Sequence, residues 1–287
     1  MREYSKGIVM EKNRIRINSI KILLLIVGLI IILTVILSGY SMKSASKKDT
    51  ENMPVIIVGC DDYTPFSYMN MNGDVTGIDV ELATEAFSRM GYKARFKFIS
   101  WEEKKQLLKK QRIDCIWSSF TMDGREKEYK WAGPYMKSNQ VVAVNTDSDI
   151  ITLQDLEGKT IAVQSSTKPE DLFRGHSKEL PKVRKVISVK NRDLIFTFMS
   201  KGYVDALAAH DTSIDQFMKD FDMEYRILDE PLLSVGLGVA FDLKDDRGLD
   251  EELSKTLKEM QSDGTVKKII SKYLSNVDKY LEDGNEN

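Results

Sequence analysis

Residues 54–99 read PVIIVGCDDYTPFSYMNMNGDVTGIDVELATEAFSRMGYKARFKFI. The first six letters, PVIIVG, form a short β-branched run of the kind found in buried parallel strands. Residues 79–91 follow with apolar side chains on one helical face, a stop signal at Gly91 and, we expect, an N-cap at Asp79. The alternation of RFKFI at 95–99 then predicts a second strand. The order is therefore strand, helix, strand.

The same alternation continues beyond residue 99. The letters SWEE at 100–103 match a capping box for a helix that ends near Arg112, and DCIW at 114–117 predicts the next strand. Two helices are predicted near the C-terminus, at 250–262 and at about 266–274. This order predicts an α/β fold with a parallel sheet and with ligand-facing loops at the strand ends.

Composition limits the classes of function. The chain has 287 residues, 42% of them hydrophobic and 30% charged, so it can fold as two lobes with real cores. The first 52 residues carry a surplus of five positive charges, and the remaining 235 carry a surplus of seven negative ones. This slightly acidic body argues against nucleic-acid binding, which needs a basic face. Only two Cys and two His are present, so we expect no disulfide framework, no metal site and no cofactor.

Residues 22–40 form the apolar segment ILLLIVGLIIILTVILSGY, long enough to cross a bilayer at about 1.5 Å per helical residue. Residues 1–21 are basic, which predicts a cytoplasmic N-terminus at the cell membrane and a globular part on the extracytoplasmic side. We expect a transmembrane anchor or uncleaved signal at 22–40, followed by a polar tether at 41–52. Cleavage near the small residues at 44–46 is the alternative. Tyr40 stands where a lipoprotein would carry its modified Cys, which excludes thioether lipidation there.

An ordered set of short motifs spans about residues 53–275. The pieces are Tyr63-Thr64-Pro65-Phe66, Gly77-Ile78-Asp79-Val80-Glu81-Leu82, SFTMDGR at 119–125, Gly133-Pro134-Tyr135, LQDLEGKTIAVQSST at 153–167, Val204-Asp205-Ala206, Asp211 and Asp263-Gly264-Thr265. The set resembles the amino-acid type, family 3, of bacterial extracellular solute-binding proteins, the receptors of ABC importers. The resemblance implies a type II periplasmic-binding-protein clamp, which is an α/β fold of two lobes joined by two crossover segments.

The resemblance also implies how the chain is divided. Lobe 1 is expected to comprise 53–138 and 237–287, and lobe 2 to comprise 139–236. The first crossing is expected around Met136–Asn139, and the return within SVGLGVAF at 234–241, which contains two glycines.

The implied function is extracytoplasmic binding of a small amino acid or a related polar zwitterion by closure of the two lobes. The implied partners are an ABC permease and its ATPase, and we expect a monomer that is not an enzyme. Two alternatives stay open. One is a membrane-anchored sensor, which would signal through a partner protein because no kinase or cyclase follows residue 287. The other is a dehydratase on the same scaffold.

The resemblance assigns eight ligand-binding residues, grouped by the part of the ligand they would meet. A carboxylate suits the planar fork of an arginine, an ammonium needs a carboxylate, and an apolar side chain needs aromatic walls. The expected residues are Arg125, Ser166 and Thr167 for the carboxylate, Asp211 for the ammonium, Tyr63 and Trp101 for the walls, and Ser119 and Thr121 as further contacts from lobe 1.

Structural roles compete with several of these assignments. Thr167 begins a Thr-x-x-Glu capping box, Asp211 could cap a helix that starts at Thr212, and Trp101 could face the interior of its lobe. Asp61 and Asp62 could select a basic side chain or could be ordinary turn residues. The sequence leaves these alternatives open.

Overall fold

The computed structural model describes residues 53–175 and 179–281. Within these two ranges, no helix combines the length and the apolar character needed to cross a membrane. The predicted cytoplasmic segment at 1–21, membrane segment at 22–40 and tether at 41–52 lie outside the described residues.

Strands and helices alternate along most of the chain. The strands are β1 (Val55–Cys60), β2 (Tyr68–Met69), β3 (Val75–Thr76), β4 (Lys93–Phe98), β5 (Cys115–Thr121), β6 (Lys130–Asn145), β7 (Thr160–Gln164), β8 (Lys185–Val189), β9 (Ala206–His210), β10 (Tyr225–Ile227) and β11 (Leu233–Phe241). The α-helices are α1 (Ile78–Arg89), α2 (Lys104–Lys109), α3 (Lys168–Arg174), α4 (Asp193–Ser200), α5 (Asp211–Phe221), α6 (Leu249–Ser262) and α7 (Thr265–Ile270). Short 3-10 helices cover Trp101–Glu103, Leu153–Leu156 and Val277–Tyr280.

Lobe 1 is the part of the molecule whose main core contains Trp117. Its strands β4, β1 and β5 are neighbours and pair in parallel, which confirms the parallel sheet predicted from the strand–helix order. Side chains alternate across β5: Trp117 joins the core that covers α1, whereas Phe120 joins a smaller apolar cluster with Trp101. Phe87 of α1 meets the Trp117 ring edge-on, with ring centroids 6.0 Å apart.

Lobe 2 is the part whose core contains Phe196. Its strands β9, β7 and β8 are also parallel neighbours, and β7 is buried along its whole length. The apolar faces of α4 and α5 meet at Phe196 and Phe217, whose rings stack with centroids 3.8 Å apart. Each lobe therefore has its own sheet segment and its own core.

Two long antiparallel strands, β6 and β11, lie between these parallel segments and join the lobes. Along β6, Met136 packs in the core of lobe 1 and Val141 in the core of lobe 2, so the first crossing lies between them. On the return, Leu228 packs in lobe 2 and Val235 already packs in lobe 1. The second crossing therefore lies between Leu228 and Val235, beside the predicted return at 234–241.

Two predicted helix caps are corrected. Helix α1 begins at Ile78, and Asp79 is buried instead of capping it. The Asp79 carboxylate accepts hydrogen bonds from the Tyr135 hydroxyl at 2.7 Å and from the Ser119 backbone N–H at 2.6 Å. Burial raises the pKa of Asp79 to about 7. Ser100 precedes a 3-10 helix and makes no side-chain capping bond. Both motifs look like local caps in sequence, but the Asp79 carboxylate is used by partners far along the chain.

The two cysteines are buried and unpaired. Cys60 ends β1, and burial, followed by the neighbouring Asp79, raises the pKa of its thiol to about 12. A buried thiol with a raised pKa is a poor nucleophile, so Cys60 is a packing residue.

Candidate functional site

A cavity lies between the two lobes, at the ends of strands β5, β7 and β9. It contains about 450 Å³ of space free of atoms, part of it open to solvent. Seven of the eight sequence-predicted residues line it, namely Tyr63, Trp101, Ser119, Thr121, Arg125, Ser166 and Thr167. The lining also includes six polar or charged residues that were not predicted from the sequence, namely Ser118, Gln140, Gln164, Lys168, Arg192 and His210.

The lobe 1 side of the cavity is built on the end of β5. Ser119 has a positive φ of 49°, a rare conformation for a residue with a side chain. Its backbone N–H is held by Asp79, while its buried hydroxyl has no hydrogen-bond partner. Strain and an unpaired buried hydroxyl at one position are typical of a residue held ready for a ligand.

Arg125 lines the cavity, and its role as a cationic fork for a ligand carboxylate stays a prediction. Its side chain is 11% exposed, and its guanidinium carbon lies 5.3 Å from the centroid of the Phe120 ring. Nη2 forms an ion pair with Asp171 of α3 at 3.2 Å, and Nη1 is 3.5 Å from the Thr121 carbonyl oxygen. Asp171 is 58% exposed, so the pairing is open to competition from another carboxylate.

The lobe 2 side of the cavity is the loop between β7 and α3. Ser166 also has a positive φ, 59°, and its backbone N–H donates to the Glu170 carboxylate at 2.7 Å. Thr167 is the N-cap residue of α3 but makes no side-chain capping bond, because its hydroxyl donates to the Gln164 carbonyl oxygen at 2.6 Å. The predicted capping box is therefore corrected, since Glu170 reaches back to Ser166 rather than to Thr167.

Trp101 serves both the cavity and the core. It is buried, lines the cavity, and packs edge-on against Phe120 with ring centroids 5.2 Å apart. The Lys104 ammonium lies 4.5 Å from the Trp101 ring centroid and donates to the Ser166 carbonyl oxygen of lobe 2 at 3.2 Å. Burial, and then the nearby Arg125, lower the pKa of Lys104 to about 7. Lys104 thus links the two lobes beside the cavity.

Arg192 and Gln164 of lobe 2 reach across to lobe 1. The Arg192 guanidinium carbon lies over the Tyr63 ring, 2.9 Å from its centroid. Its Nε donates to Gln164 Oε1 at 2.8 Å, and its Nη2 pairs with Asp61 at 3.4 Å. Gln164 in turn donates to the same Asp61 carboxylate at 2.7 Å. Arg192 lies in the loop between β8 and α4, directly before the helix. A loop after a parallel strand is where ligand-binding residues are expected, although Arg192 belongs to none of the quoted motifs.

His210, at the end of β9, is buried and lines the cavity. Its Nε2 lies 2.7 Å from Gln140 Nε2, which can only donate, so His210 Nε2 accepts and Nδ1 carries the proton. Nδ1 then donates to the Ser138 hydroxyl at 2.8 Å. Burial, and then the positive charge of Arg192, lower the pKa of His210 to about 3, so the imidazole is neutral.

The structure does not place Asp211 in the lining of this cavity, where the other seven predicted residues lie. Its carboxylate accepts from Lys279 and from the Asn139 side chain, each at 3.2 Å, and from the Thr212 backbone N–H at 2.8 Å. The ammonium that it holds is thus one from the chain itself. His210, one residue earlier, occupies the cavity wall instead. Among the residues that the structure describes, no group of His, Cys, Asp and Glu could hold a metal ion.

Comparison with known proteins places this arrangement in context. A family model described as bacterial extracellular solute-binding proteins, family 3, matches residues 55–276. The histidine-binding periplasmic protein of Escherichia coli (strain K12) is 29% identical over 255 residues, which cover 85% of this chain and 96% of the relative. The arginine-binding extracellular protein of Bacillus subtilis (strain 168) is 29% identical over 220 residues, covering 75% of this chain and 83% of the relative. An ancestral arginine-binding protein, solved with arginine bound, is 27% identical with a TM-score of 0.70 over 77% of this chain and 98% of that one.

Proposed function

Because the chain belongs to family 3 of the bacterial extracellular solute-binding proteins, we propose that it binds a small amino acid or related carboxylate outside the cytoplasm. The chain has the two-lobed periplasmic-binding-protein fold and, like its relatives, is a binding protein and not an enzyme. We further propose that it delivers the ligand to an ABC permease and its ATPase, and that residues 22–40 hold it at the membrane.

One observation carries the binding proposal. The Arg125 guanidinium is largely buried at a cavity lined by both lobes, and it forms an ion pair with the exposed carboxylate of Asp171. A bidentate bond to a ligand carboxylate is stronger and more directional than an exposed single-contact ion pair. A ligand carboxylate would therefore compete with Asp171 for the guanidinium.

Binding would favour the closed arrangement of the lobes. Contacts already span the cleft, including Lys104 with the Ser166 carbonyl oxygen and Gln164 with Asp61. A ligand that touches Ser119 and Arg125 on one side and Ser166 on the other gains contacts only when the lobes are together. That difference in affinity between the closed and open forms drives closure.

Thermal unfolding of the purified protein tests this proposal. The melting temperature is measured with each of the twenty amino acids and a set of small carboxylic acids. A ligand present at 100 times its dissociation constant adds about 2.7 kcal/mol to the free energy of unfolding. We expect at least one compound to raise the melting temperature of the wild type and to have no effect on Arg125→Gln.

The matched control is Arg95→Gln, the same chemical change on an exposed position of β4. It should keep the full ligand-dependent shift. An unchanged shift in Arg125→Gln would remove Arg125 from the site, and a loss in both variants would mean that the effect is not specific to the cavity.

A further inference from the structure

Arg192 has a charged nitrogen with nothing to bind. The side chain is 10% exposed and lines the cavity. Nε and Nη2 are engaged by Gln164, and Nη2 also by Asp61, but Nη1 is buried without a hydrogen-bond partner. A buried N–H on a charged group is costly to leave unpaired. This geometry calls for an acceptor that the chain itself does not provide.

The described cavity lining is rich in cations and contains no carboxylate. Arg125, Arg192 and Lys168 line it, and no Asp or Glu is found among the described lining residues. Two acids outside the lining pair with its arginines, Asp61 with Arg192 and Asp171 with Arg125. The predicted ammonium partner, Asp211, is held by Lys279. The cavity surface therefore favours negative charge at more than one place.

A basic ligand side chain would meet an obstacle at the aromatic wall. Cationic groups bind aromatic faces, and Tyr63 is an aromatic residue of the cavity lining. The Arg192 guanidinium already covers the Tyr63 ring. A ligand guanidinium or ammonium group at that face would have to displace Arg192 and would be repelled by its charge.

We propose that the ligand is a small dicarboxylate, with one carboxylate on Arg125 and a second acidic group on Arg192 Nη1. This inference rests on the proposed binding function and narrows its ligand class. Acidic amino acids and amino-free dicarboxylates share the required chemistry, and they differ in whether an ammonium is tolerated. Arginine, lysine and histidine fall outside the class.

Isothermal titration calorimetry on the purified protein tests the inference. The probes are L-aspartate, L-glutamate, succinate and glutarate, set against L-arginine, L-lysine and L-histidine. We expect the best dicarboxylate to bind at least about 100-fold more tightly than any basic amino acid, as expected for one charge-assisted hydrogen bond gained and one repulsion avoided. Aspartate is compared with succinate and glutamate with glutarate, which have equal chain lengths. The comparison shows whether the cavity prefers a dicarboxylate with or without an ammonium group.

Variants separate this inference from the proposed function. Arg192→Gln should weaken the best dicarboxylate by about 10- to 100-fold, Arg192→Lys should weaken it less, and Arg95→Gln should leave it unchanged. If a basic amino acid is the tightest ligand of the wild type, the inference is overturned even if Arg192→Gln does not fold. If Arg125→Gln abolishes binding while Arg192→Gln keeps full dicarboxylate affinity, the inference falls and the proposed function stands. If no probe binds, the inference is overturned as well.

Discussion

The free energy of unfolding of His210→Gln should rise relative to that of the wild type as the pH falls. Burial and Arg192 lower the pKa of this imidazole from 6.5 to about 3 in the folded protein. Below pH 6.5 the unfolded chain takes up a proton at His210 that the folded protein does not bind. The contribution of this group to the free energy of unfolding therefore falls as the pH drops from 6.5 towards 3. Glutamine removes the titration and keeps a polar side chain beside Ser138 and Gln140.

The size of the effect follows from the two pKa values. One pH unit corresponds to about 1.4 kcal/mol, so the His210 contribution falls by about 2–3 kcal/mol between about pH 7.5 and 4.5. Asp79 acts in the opposite direction, because burial raises its pKa from 3.8 to about 7. The folded protein holds a proton there that the unfolded chain releases, so the Asp79 contribution grows as the pH falls from 7 towards 3.8. In the wild type the two contributions oppose each other.

Urea unfolding followed by tryptophan fluorescence, at several pH values from about 7.5 to 4.5, measures the difference. The free energy of unfolding of His210→Gln should gain about 2–3 kcal/mol on the wild type across this range. Asp79→Asn should change in the other direction, losing stability on acidification faster than the wild type. Parallel curves for His210→Gln and the wild type would refute the neutral, buried imidazole.

Two further substitutions, each with a matched control, test the ion pair between Lys279 and Asp211 and the close backbone contact at Gly77. Lys279→Ala removes the ammonium from Asp211, which is 5% exposed, and should lower the free energy of unfolding by about 1–3 kcal/mol without changing ligand affinity. The control is Lys267→Ala, which breaks the exposed ion pair with Asp278 and should lower the free energy of unfolding by less than about 1 kcal/mol in the same urea titration. A loss of ligand binding in Lys279→Ala would contradict the structural role of Asp211. Gly77→Ala should cost about 3 kcal/mol or more, because φ is 124° and the added Cβ would lie 2.3 Å from a backbone oxygen. Gly73→Ala, also at positive φ but in open space, should cost only about 1 kcal/mol; equal losses in the two variants would show that the close contact is unimportant.

Local pattern was sufficient for the elements of the fold. The β-branched run of β1, the apolar face of α1 and the fully buried β5 each follow from their own residues, and alternation of strand and helix then favours parallel pairing. The predicted ends of the helices and strands were less accurate. The last helix was predicted to reach about residue 274 and ends at Ile270.

The position of Asp211 outside the cavity lining has a simple geometric cause. Successive side chains at a strand end point in opposite directions, so a shift of one residue exchanges the cavity wall for another environment. Sequence shows an acid directly after a buried strand, but not that β9 runs to His210 and that Lys279, 68 residues later, supplies the ammonium. Such a partner is set by the path of the chain and not by local pattern.

Asp79 and Arg192 illustrate the same limit. An acid at the start of an apolar helix has the sequence signature of a cap, yet Asp79 binds Tyr135, 56 residues away. Arg192 belongs to none of the quoted motifs, and its contact with Tyr63 joins side chains of the two lobes. Long-range polar contacts determine the chemistry of the cavity more than the motifs that revealed its position.

The most direct measurement is a crystal structure of the protein with its tightest-binding carboxylate compound. The central claim predicts the ligand between the lobes, with one carboxylate accepting two hydrogen bonds from the Arg125 guanidinium at about 2.7–2.9 Å. It also predicts contacts to Ser119 in lobe 1 and Ser166 in lobe 2 from the same molecule. A ligand bound elsewhere, with Arg125 still paired only to Asp171, would contradict the account.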